Sequence, residues 1–431
     1  MRFDPVRPVV PGGYEVAIPP LAPLAQHFRR VQVDDVTAAT RAAIERLELG
    51  RLDGKSVAIT AGSRGIPGIV QVLKATVAAL VERGASPFVV PAMGSHGGAT
   101  AEGQIEVLAS YGVVEQAIGA PIRATMETVV VDRLPDGTEL HADRYAAAAD
   151  GIVVFNKIKP HTGFKGPIES GLAKMLVIGL GKHAGARAIH GCGMAVFAEL
   201  IPRAAERLIA DLPVLFGLGL VENAWGRPAL IEAIRPRHIL AREAEILVEA
   251  KQLISRLLLP EIDVLIVDRI GKDVSGSGMD PNVTGRSATN MPGFTAPPIE
   301  KIIVRGLTER THGNAVGIGL ADFTTRRVVE QIDYVAMYTN AFSARVMRGA
   351  RLPVILANDR DALMGALQTC FGKSPEQAKV VRIRDTKHLE KIAVSQAVLD
   401  EVAGSSEFEV LGQPEPLRFD DEGDIVGDLE P

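Results

Sequence analysis

Histidine and lysine side chains are concentrated in one glycine-rich run, residues 159–191, which holds three of the chain's nine histidines and four lysines. An imidazole takes or gives a proton near neutral pH, and two imidazoles facing a substrate from opposite sides suit a racemase or epimerase. A further histidine could ligate a borderline metal ion such as nickel, and a lysine amine can form a covalent bond. No HExxH or CxxC spacing occurs, so no standard zinc site is predicted.

Two further glycine-framed turns precede this run. The stretch ITAGSRGIPG (59–68) ends a predicted strand and carries Arg64, while PAMGSHGGAT (91–100) ends another and carries His96. Open α/β sheets bind ligands at the carboxyl ends of their strands, and unpaired N–H groups there favour an anion. Each turn taken alone also suits an ordinary loop with a surface arginine or a histidine bonded to its own backbone.

Short apolar runs alternate with longer helical patterns, and this alternation predicts the elements that position the three sites. Strand, helix, strand order of this kind is typical of an α/β fold with mainly parallel sheets. The first half has a predicted helix at 68–84 and predicted strands at 56–60, 87–94, 128–132, 151–156 and 214–221. The second half has predicted strands at 263–270, 315–323, 353–359 and 379–385.

The chain has 431 residues, a length that favours two domains. An amphipathic helix at 240–258, ended by Pro260, is predicted to link them. We therefore expect an N-terminal α/β domain at 1–258 and a C-terminal α/β domain at 259–405, with an active-site cleft between them. A tail at 406–431 is expected to pack on the N-terminal domain, with its acidic end exposed.

Composition restricts the possible partners. The net charge is -5 and no polybasic run is present, so neither nucleic acid nor an anionic membrane surface is predicted as a partner. Two cysteines suit a reducing compartment, and no uninterrupted apolar run resembles a signal peptide or a membrane span. A cytoplasmic location is therefore expected, and the oligomeric state stays open.

The ordered motifs AGSRGIP, GSHGG and KPHTGFKG…SGLAKMLVIGLG…AIHG resemble the nickel-dependent lactate racemase superfamily over most of residues 55–195. Those enzymes bind a nickel-pincer nucleotide, a pyridinium mononucleotide whose two sulfurs and one ring carbon hold nickel. The resemblance implies an isomerase that inverts C2 of a 2-hydroxy acid by proton-coupled hydride transfer to this cofactor. It also implies a small-molecule 2-hydroxy acid and the cofactor-synthesis enzymes as partners.

The resemblance further implies a role for each motif residue. His96 and His161 match the paired acid/base histidines, Lys174 matches the lysine that carries the cofactor through a thioamide, and His190 matches the nickel ligand. Arg64 matches a residue that also contacts substrate. The cofactor-contacting turn comprises Ala61, Gly62, Ser63 and Arg64.

The chain departs from the family pattern at two points. Ala61 stands where the family usually has an aspartate. The segment between His161 and Lys174 is longer than a plain glycine run, which makes Lys165 and Lys182 rival candidates for the tether. Without a tether, the cofactor would bind noncovalently.

The second domain is expected to supply substrate contacts. The loop at 271–286 follows a predicted strand and offers Lys272, Asn282 and Arg286, of which the cations could hold a carboxylate. An ordered loop with solvated charges explains the same residues equally well. His312 is interpreted as a loop histidine.

Two other functions compete with the isomerase. A pyridine-nucleotide-dependent oxidoreductase would share the α/β fold and glycine turns, but no G-x-G-x-x-G follows a predicted strand here. A non-catalytic cofactor-binding homologue would keep the fold and metal without turnover. For the isomerase, the substrate could be lactate-like, dicarboxylic or a sugar acid, and the polar loop at 271–286 favours a larger acid than lactate.

Overall fold

The computed structural model describes residue 6 and residues 8–10, 13–63 and 65–430, which form two compact units. The central unit spans Arg29–Ile254, and the terminal unit combines residues up to Phe28 with residues from Ser255 onward. Each unit contains a mainly parallel sheet and helices, which confirms the predicted fold class of two α/β domains. None of the helices in the described part of the chain has the length and apolar character needed to span a bilayer.

The strands are short and mostly buried, as expected for parallel sheets that are covered on both faces. In chain order they are β1 (Leu21–Gln26), β2 (Ser56–Ala61), β3 (Ser86–Pro91), β4 (Thr128–Arg133), β5 (Glu139–Asp143), β6 (Gly151–Lys157), β7 (Val214–Glu222), β8 (Pro228–Ile234), β9 (Ile262–Val267), β10 (Ile299–Val304), β11 (Phe323–Thr325), β12 (Val354–Leu356), β13 (Val380–Ile383), β14 (Lys391–Ser395) and β15 (Phe408–Val410).

Several helices begin at a side chain that accepts one of the first helical N–H groups, as Asp35 does from Ala38 and Thr100 from Gly103. In chain order the helices are α1 (Val36–Glu45), α2 (Ile69–Val81), α3 (Ala101–Ser110), α4 (Glu115–Ile118), α5 (Arg144–Ala147), α6 (Leu172–Lys174), α7 (Lys182–Gly191), α8 (Phe197–Asp211), α9 (Ile239–Leu253), α10 (Pro281–Thr284), α11 (Arg326–Glu330), α12 (Tyr334–Ala344), α13 (Asp359–Gln368) and α14 (Gln396–Val402).

The central unit is built on a sheet with the strand order β3-β2-β6-β7-β8. The first four strands are parallel and β8 runs antiparallel beside β7. Apolar clusters cover both faces, one containing Phe88, Phe164 and Phe197 and the other containing Phe155 and Phe216. Burial of these aromatic side chains fixes the sheet between its helices, so the turns at its carboxyl edge have a rigid support.

The terminal unit has a larger sheet with the order β12-β11-β10-β9-β13-β14-β1-β15. Strands β12 to β13 in this order are parallel, whereas β14, β1 and β15 add antiparallel pairs. The first 28 residues, predicted for the N-terminal domain, therefore belong to the terminal unit, because β1 pairs there with β14 and β15. The tail belongs to the same unit, since β15 pairs with β1.

Three sequence expectations differ from the structure. Residues 128–132 lie in β4, which pairs with β5 in a separate two-stranded sheet, and Val129 and Val130 are exposed instead of buried. Residues 315–322 form loops and a 3₁₀ turn, and only Phe323–Thr325 is a strand. Helix α9 ends at Leu253 and packs within the central unit, so it is not a free link that runs to Pro260.

The acidic end of the chain is also not exposed as a whole. Asp424 and Ile425 are buried, 8% and 4% exposed respectively. Arg327 forms an ion pair with Asp424 at 2.9 Å, and Arg305 donates to the carbonyl of Ile425 at 2.6 Å. Arginines elsewhere in the terminal unit thus bind this segment, and local composition does not reveal them.

Candidate active site in the central unit

Three neighbouring parallel strands of the central sheet bring the motif turns to one edge. Ser63 follows β2, His96 follows β3 and His161 follows β6. Because β2 lies between β3 and β6, and adjacent strands are about 4.8 Å apart, the ends of β3 and β6 stand roughly 10 Å from each other. The sheet therefore carries two imidazoles at its carboxyl edge, on either side of the β2 turn.

The His96 turn is exposed and touches the β2 turn. Nδ1 of His96 lies in hydrogen-bond contact with the hydroxyl of Ser63. The Tyr111 hydroxyl donates to the Ser63 carbonyl at 2.9 Å, which holds this turn in place. Gly97 has a left-handed φ of 66°, and a Cβ there would lie 2.6 Å from the carbonyl carbon of Gly103, so only glycine fits beside His96.

The rest of the β2 turn is partly described. Ala61 is the buried last residue of β2, and Gly62 packs so closely on Met175 that an added Cβ would lie 3.0 Å from the methionine Cε. Arg64, the predicted nucleotide- and substrate-contacting residue, lies outside the described residues. The turn is thus joined to Met175, the neighbour of the candidate tether Lys174.

The His161 loop is held by one hydrogen bond to the imidazole and one from the His161 backbone. The Gly163 N–H donates to His161 Nδ1 at 2.9 Å, and the His161 N–H donates to the Glu169 carboxylate at 2.7 Å. The half-buried ring packs on Phe164 with 4.5 Å between ring centroids. These contacts give His161 one orientation.

A pair of phenylalanines joins the surroundings of His161 to those of His190. Phe164 contacts Phe197 edge to face at 5.5 Å between centroids, and His190 packs on Phe197 at 5.3 Å. His190 lies in the last turn of α7 and is exposed. The structure therefore brings the predicted acid/base histidine and the predicted metal ligand onto one aromatic cluster.

The candidate tether Lys174 is half-buried at the end of α6, where a π-helical turn, Met175–Gly179, begins. Such turns are rare and frequently accompany functional sites. Lys182 is fully buried and forms an ion pair with Asp143 at 3.1 Å, while Lys165 pairs with Glu169 at 3.1 Å. Burial lowers the pKa of the Lys182 ammonium. These ion pairs weigh against Lys182 and Lys165 as the tether.

A buried carboxyl that the sequence did not single out lies beneath the Lys174 helix. Glu243 of α9 is 1% exposed and accepts the Ala173 N–H at 2.8 Å. Burial raises the pKa of its carboxyl to about 7. An amphipathic pattern gives no sign of it, because an acidic residue in α9 is expected to face water.

A second group that the sequence did not reveal, Lys157, lies at the carboxyl ends of β6 and β7. The Lys157 ammonium forms an ion pair with Glu222 at 2.8 Å and donates to the Gly65 carbonyl at 3.0 Å. Lys157 is 7% exposed. Because Gly65 follows the β2 turn, this lysine connects the carboxyl ends of β2, β6 and β7. A lysine at the end of an apolar strand is the only sequence signal for it.

Several glycines of the 159–191 run are explained by packing within the protein. A Cβ on Gly179 would lie 2.6 Å from the Met175 sulfur and 2.7 Å from the Ala92 carbonyl oxygen. The Gly94 N–H donates to the Gly179 carbonyl at 3.1 Å. Glycine at these positions lets the β3 turn approach the π-helical turn closely.

The donor set nevertheless fits the cofactor that the sequence resemblance implies. A thioamide needs a lysine amine, and the half-buried Lys174 directly precedes the π-helical turn whose Met175 lies against Gly62 of the β2 turn. Over residues 13–63 and 65–430, no three His, Cys, Asp or Glu side chains form a potential metal cluster. The resemblance implies a single histidine ligand, His190, and such a ligand does not require a cluster of three metal-binding side chains.

The predicted substrate residues of the terminal unit make extensive internal contacts. Lys272 donates to the Gly276 carbonyl at 2.7 Å and to Asn340 at 3.0 Å. The Asn282 amide donates to Asp280 at 2.7 Å. Arg286 pairs with Asp322 at 2.6 Å and also donates to backbone carbonyl groups. Substrate binding by these three residues stays a prediction.

The chain matches no protein-family model and no curated protein sequence. Among solved structures, it is similar to a protein from Thermotoga maritima, with 14% identity, a TM-score of 0.48, and coverage of 73% of this chain and 81% of that chain. It is also similar to the lactate racemase apoprotein from Thermoanaerobacterium thermosaccharolyticum, with 15% identity, a TM-score of 0.45, and coverage of 83% of each chain. Neither similarity is close enough to assign a family or an activity.

Proposed function

We propose that this chain is an isomerase that inverts C2 of a 2-hydroxy acid. The observation that carries the proposal is the pair of imidazoles, His96 and His161, at the carboxyl ends of two strands that flank β2. Proton transfer at a substrate hydroxyl needs a group that titrates near neutral pH, and this edge of an α/β sheet is where ligands bind.

The motif resemblance supports a nickel-pincer nucleotide as the cofactor. Lys174 would hold it through a thioamide, His190 would ligate its nickel, and Ser63 with its neighbours in the β2 turn would contact the nucleotide. When bound, this group supplies the acceptor for the Cα hydride. His96 and His161 would manage the hydroxyl proton, and the phenylalanine pair beneath His161 and His190 would exclude water from that side.

Intact mass combined with metal analysis tests the cofactor roles directly. The chain is produced together with the cofactor-synthesis enzymes, and the wild type is expected to carry an adduct and about one nickel per chain. Lys174→Arg should remove the adduct, whereas the exposed control Lys74→Arg on α2 should keep it. An adduct that persists in Lys174→Arg would contradict the tether.

The metal role of His190 has a matched control on the same helix. His190→Ala should lose nickel, while His183→Ala changes an exposed histidine of α7 and should keep it. His96→Gln and His161→Gln should retain nickel and lower the rate of isomerisation. Full nickel in His190→Ala would overturn the ligand assignment.

The substrate class is tested with loaded enzyme and a panel of lactate, malate, 2-hydroxyglutarate and aldonates, each followed by chiral chromatography. We expect activity on a dicarboxylic or sugar acid. Activity on lactate alone would contradict the larger substrate. Oxidation dependent on added NAD without nickel would favour an oxidoreductase. Nickel binding without any isomerisation would favour a non-catalytic homologue.

A further inference from the structure

A fully buried glutamine lies beneath the His96 turn. The Gln104 side chain of α3 donates from its amide to the carbonyl of Gly94 at 2.9 Å and to the carbonyl of His96 at 3.3 Å. Both carbonyls belong to the turn that carries the imidazole. A buried amide is stable only when its donors have acceptors, so the turn and Gln104 depend on each other.

The amide oxygen of Gln104 is in turn bound by Lys182, the first residue of α7. The Lys182 ammonium donates to this oxygen at 3.1 Å and to the carbonyl of Pro91, and it forms an ion pair with Asp143 at 3.1 Å. Lys182 and Asp143 are also fully buried. An ammonium has three N–H donors and no acceptor, which matches the three oxygen atoms around it.

This set of partners allows one orientation of the Gln104 amide. Turning the amide over would place its NH₂ group against the Lys182 ammonium and its oxygen against the carbonyl oxygens of Gly94 and His96. Donors would then face donors and acceptors would face acceptors, and each such mismatch is destabilising in a buried place. Lys182 therefore determines which end of Gln104 points to the His96 turn.

Two glycines let α3 approach the turn closely enough for this contact. A Cβ on Gly103, the neighbour of Gln104, would lie 2.1 Å from the Gly97 carbonyl oxygen. Gly97 itself follows His96 and has a left-handed φ of 66°. The backbone of the turn and the two carbonyls that accept from Gln104 are thus supported by the same helix.

Lys182 links this support to the segment that follows Lys174. It comes shortly after the π-helical turn and has a left-handed φ of 53°, which a non-glycine residue keeps only where its surroundings hold it. The Asp143 N–H donates to the Leu180 carbonyl at 2.8 Å, so Asp143 binds this junction through its backbone as well as through Lys182. The network therefore sets the position of the His96 turn relative to the π-helical turn and α7.

We propose that Gln104 is a positioning residue for His96, and that Lys182 orients the Gln104 amide for this role. The proposal rests on the isomerase function proposed above, in which His96 and His161 both transfer protons. Gln104 acts through the backbone of the turn and keeps the His96 imidazole at a fixed place relative to the helix segment that follows Lys174. Lys182 thereby has a role other than that of a cofactor tether.

NMR of the full chain labelled with ¹⁵N-glutamine measures the Gln104 amide in the wild type, and its contacts to the Hα protons of Gly94 and His96 assign its signals. We expect both amide protons to exchange slowly with water, because they are buried and bonded to the turn. Rapid exchange, or no contact to the His96 Hα proton, would overturn the proposal. The measurement needs neither cofactor nor a variant, so it is independent of whether the loaded chain isomerises any acid.

Gln104→Met removes the amide, and Gln26→Met in β1 is the matched control, because Gln26 is also fully buried and donates to two backbone carbonyls. In NMR of ¹³C-labelled histidine, the His96 ring signals, which His96→Gln assigns, should shift and broaden only in Gln104→Met. Unchanged His96 signals in the folded variant, or an equal change in Gln26→Met, would refute the positioning role. If Gln104→Met does not fold, Gln104→Glu keeps an oxygen for Lys182 and removes the amide donors, and the same signals decide.

Kinetics of the loaded chain provide the functional arm. Gln104→Met should keep the adduct and the nickel, and it should lower kcat by about 10²-fold with KM unchanged, because a displaced proton-transfer group slows chemistry without weakening binding. An unchanged kcat, or loss of the adduct, would contradict the positioning role. An inactive wild type would contradict the proposed function instead, and the NMR results would still decide whether Gln104 holds the His96 turn.

Discussion

The carboxyl edges of the two sheets use polar side chains in opposite ways. In the central unit, the edge of β3, β2 and β6 carries imidazoles whose rings are oriented by a hydroxyl and a backbone N–H. In the terminal unit, the edge of β9, β10 and β13 carries arginines and aspartates that bind one another. Arg305 is 4% exposed and pairs with Asp268, Asp359 and Asp428.

The C-terminal segment of the chain occupies further hydrogen-bond donors at this edge of the terminal unit. Arg305 also donates to the carbonyls of Ile425 and Gly427, and Arg382 donates to Asp268 at 2.8 Å. A cavity of about 620 Å³ lies beside this network, lined by residues that include Arg269, Arg305 and Asp428. The arginines that line it are neutralised by neighbouring aspartates, so we assign this network to stability.

The largest effect on stability is expected from Arg305→Met. The change removes one of the two arginines that pair with each of the buried Asp268 and Asp359 carboxylates, which should cost about 3–5 kcal/mol. Circular dichroism during urea unfolding measures the loss, and Arg310→Met, an exposed neighbour, is the control. Fluorescence of Trp225, the single tryptophan, reports on the central unit and should change less. An equal shift of the circular dichroism and fluorescence midpoints would contradict the expected difference between the two sheet edges.

A somewhat smaller loss is expected from Lys182→Met in the central unit. Its partner Asp143 is buried, and burial raises the pKa of that carboxyl, so it can relieve the unpaired charge by taking a proton. We expect a loss of about 3 kcal/mol, seen as an earlier urea midpoint of Trp225 fluorescence. Lys74→Met serves as the exposed control. A stable Lys182→Met that lost the cofactor adduct would instead make Lys182 the tether.

The stability of the central unit should also depend on pH through Glu243. Its folded pKa of about 7 lies above the ordinary value of 4.5, so its contribution is complete below 4.5 and is lost as pH rises through 7. The loss should reach about 3 kcal/mol. Glu243→Gln should flatten this dependence of the Trp225 midpoint, and Glu249→Gln, exposed on the same helix, should not. An unaltered pH profile in Glu243→Gln would show that another group is responsible.

The smallest effect on stability is expected from Ser63→Ala, which nevertheless should act on chemistry. Loss of the hydroxyl removes the partner of His96 Nδ1, and the rate of isomerisation should fall about fivefold, equivalent to about 1 kcal/mol. The Trp225 midpoint should stay within experimental error. Ser110→Ala, exposed at the end of α3, is the control. A loss of stability without a change in rate would show that Ser63 has a structural role, like the arginines and aspartates of the terminal unit.

Local sequence patterns were sufficient for much of the central sheet. The apolar runs that became β2, β3, β6 and β7 and the helical spacing that became α2 were all predictable, because buried parallel strands are continuous apolar segments. The strand-to-turn order also predicted that His96 lies at the carboxyl end of a strand, and it follows β3. Strands β1, β14 and β15 were missed because each has only three to six residues, too few for a clear strand pattern.

The sequence by itself determined the α/β class, the glycine turns and the residue types that can perform proton transfer. Only the tertiary structure decided which side chains form ion pairs or hydrogen bonds within the protein. The carboxylates that bind Lys165 and Lys182, those of Glu169 and Asp143, are recognised as their partners only in the folded chain. The orientation of the His161 ring likewise depends on the Gly163 N–H, which donates to its Nδ1. Ion pairing and hydrogen bonding join residues distant in the chain, which no local pattern encodes.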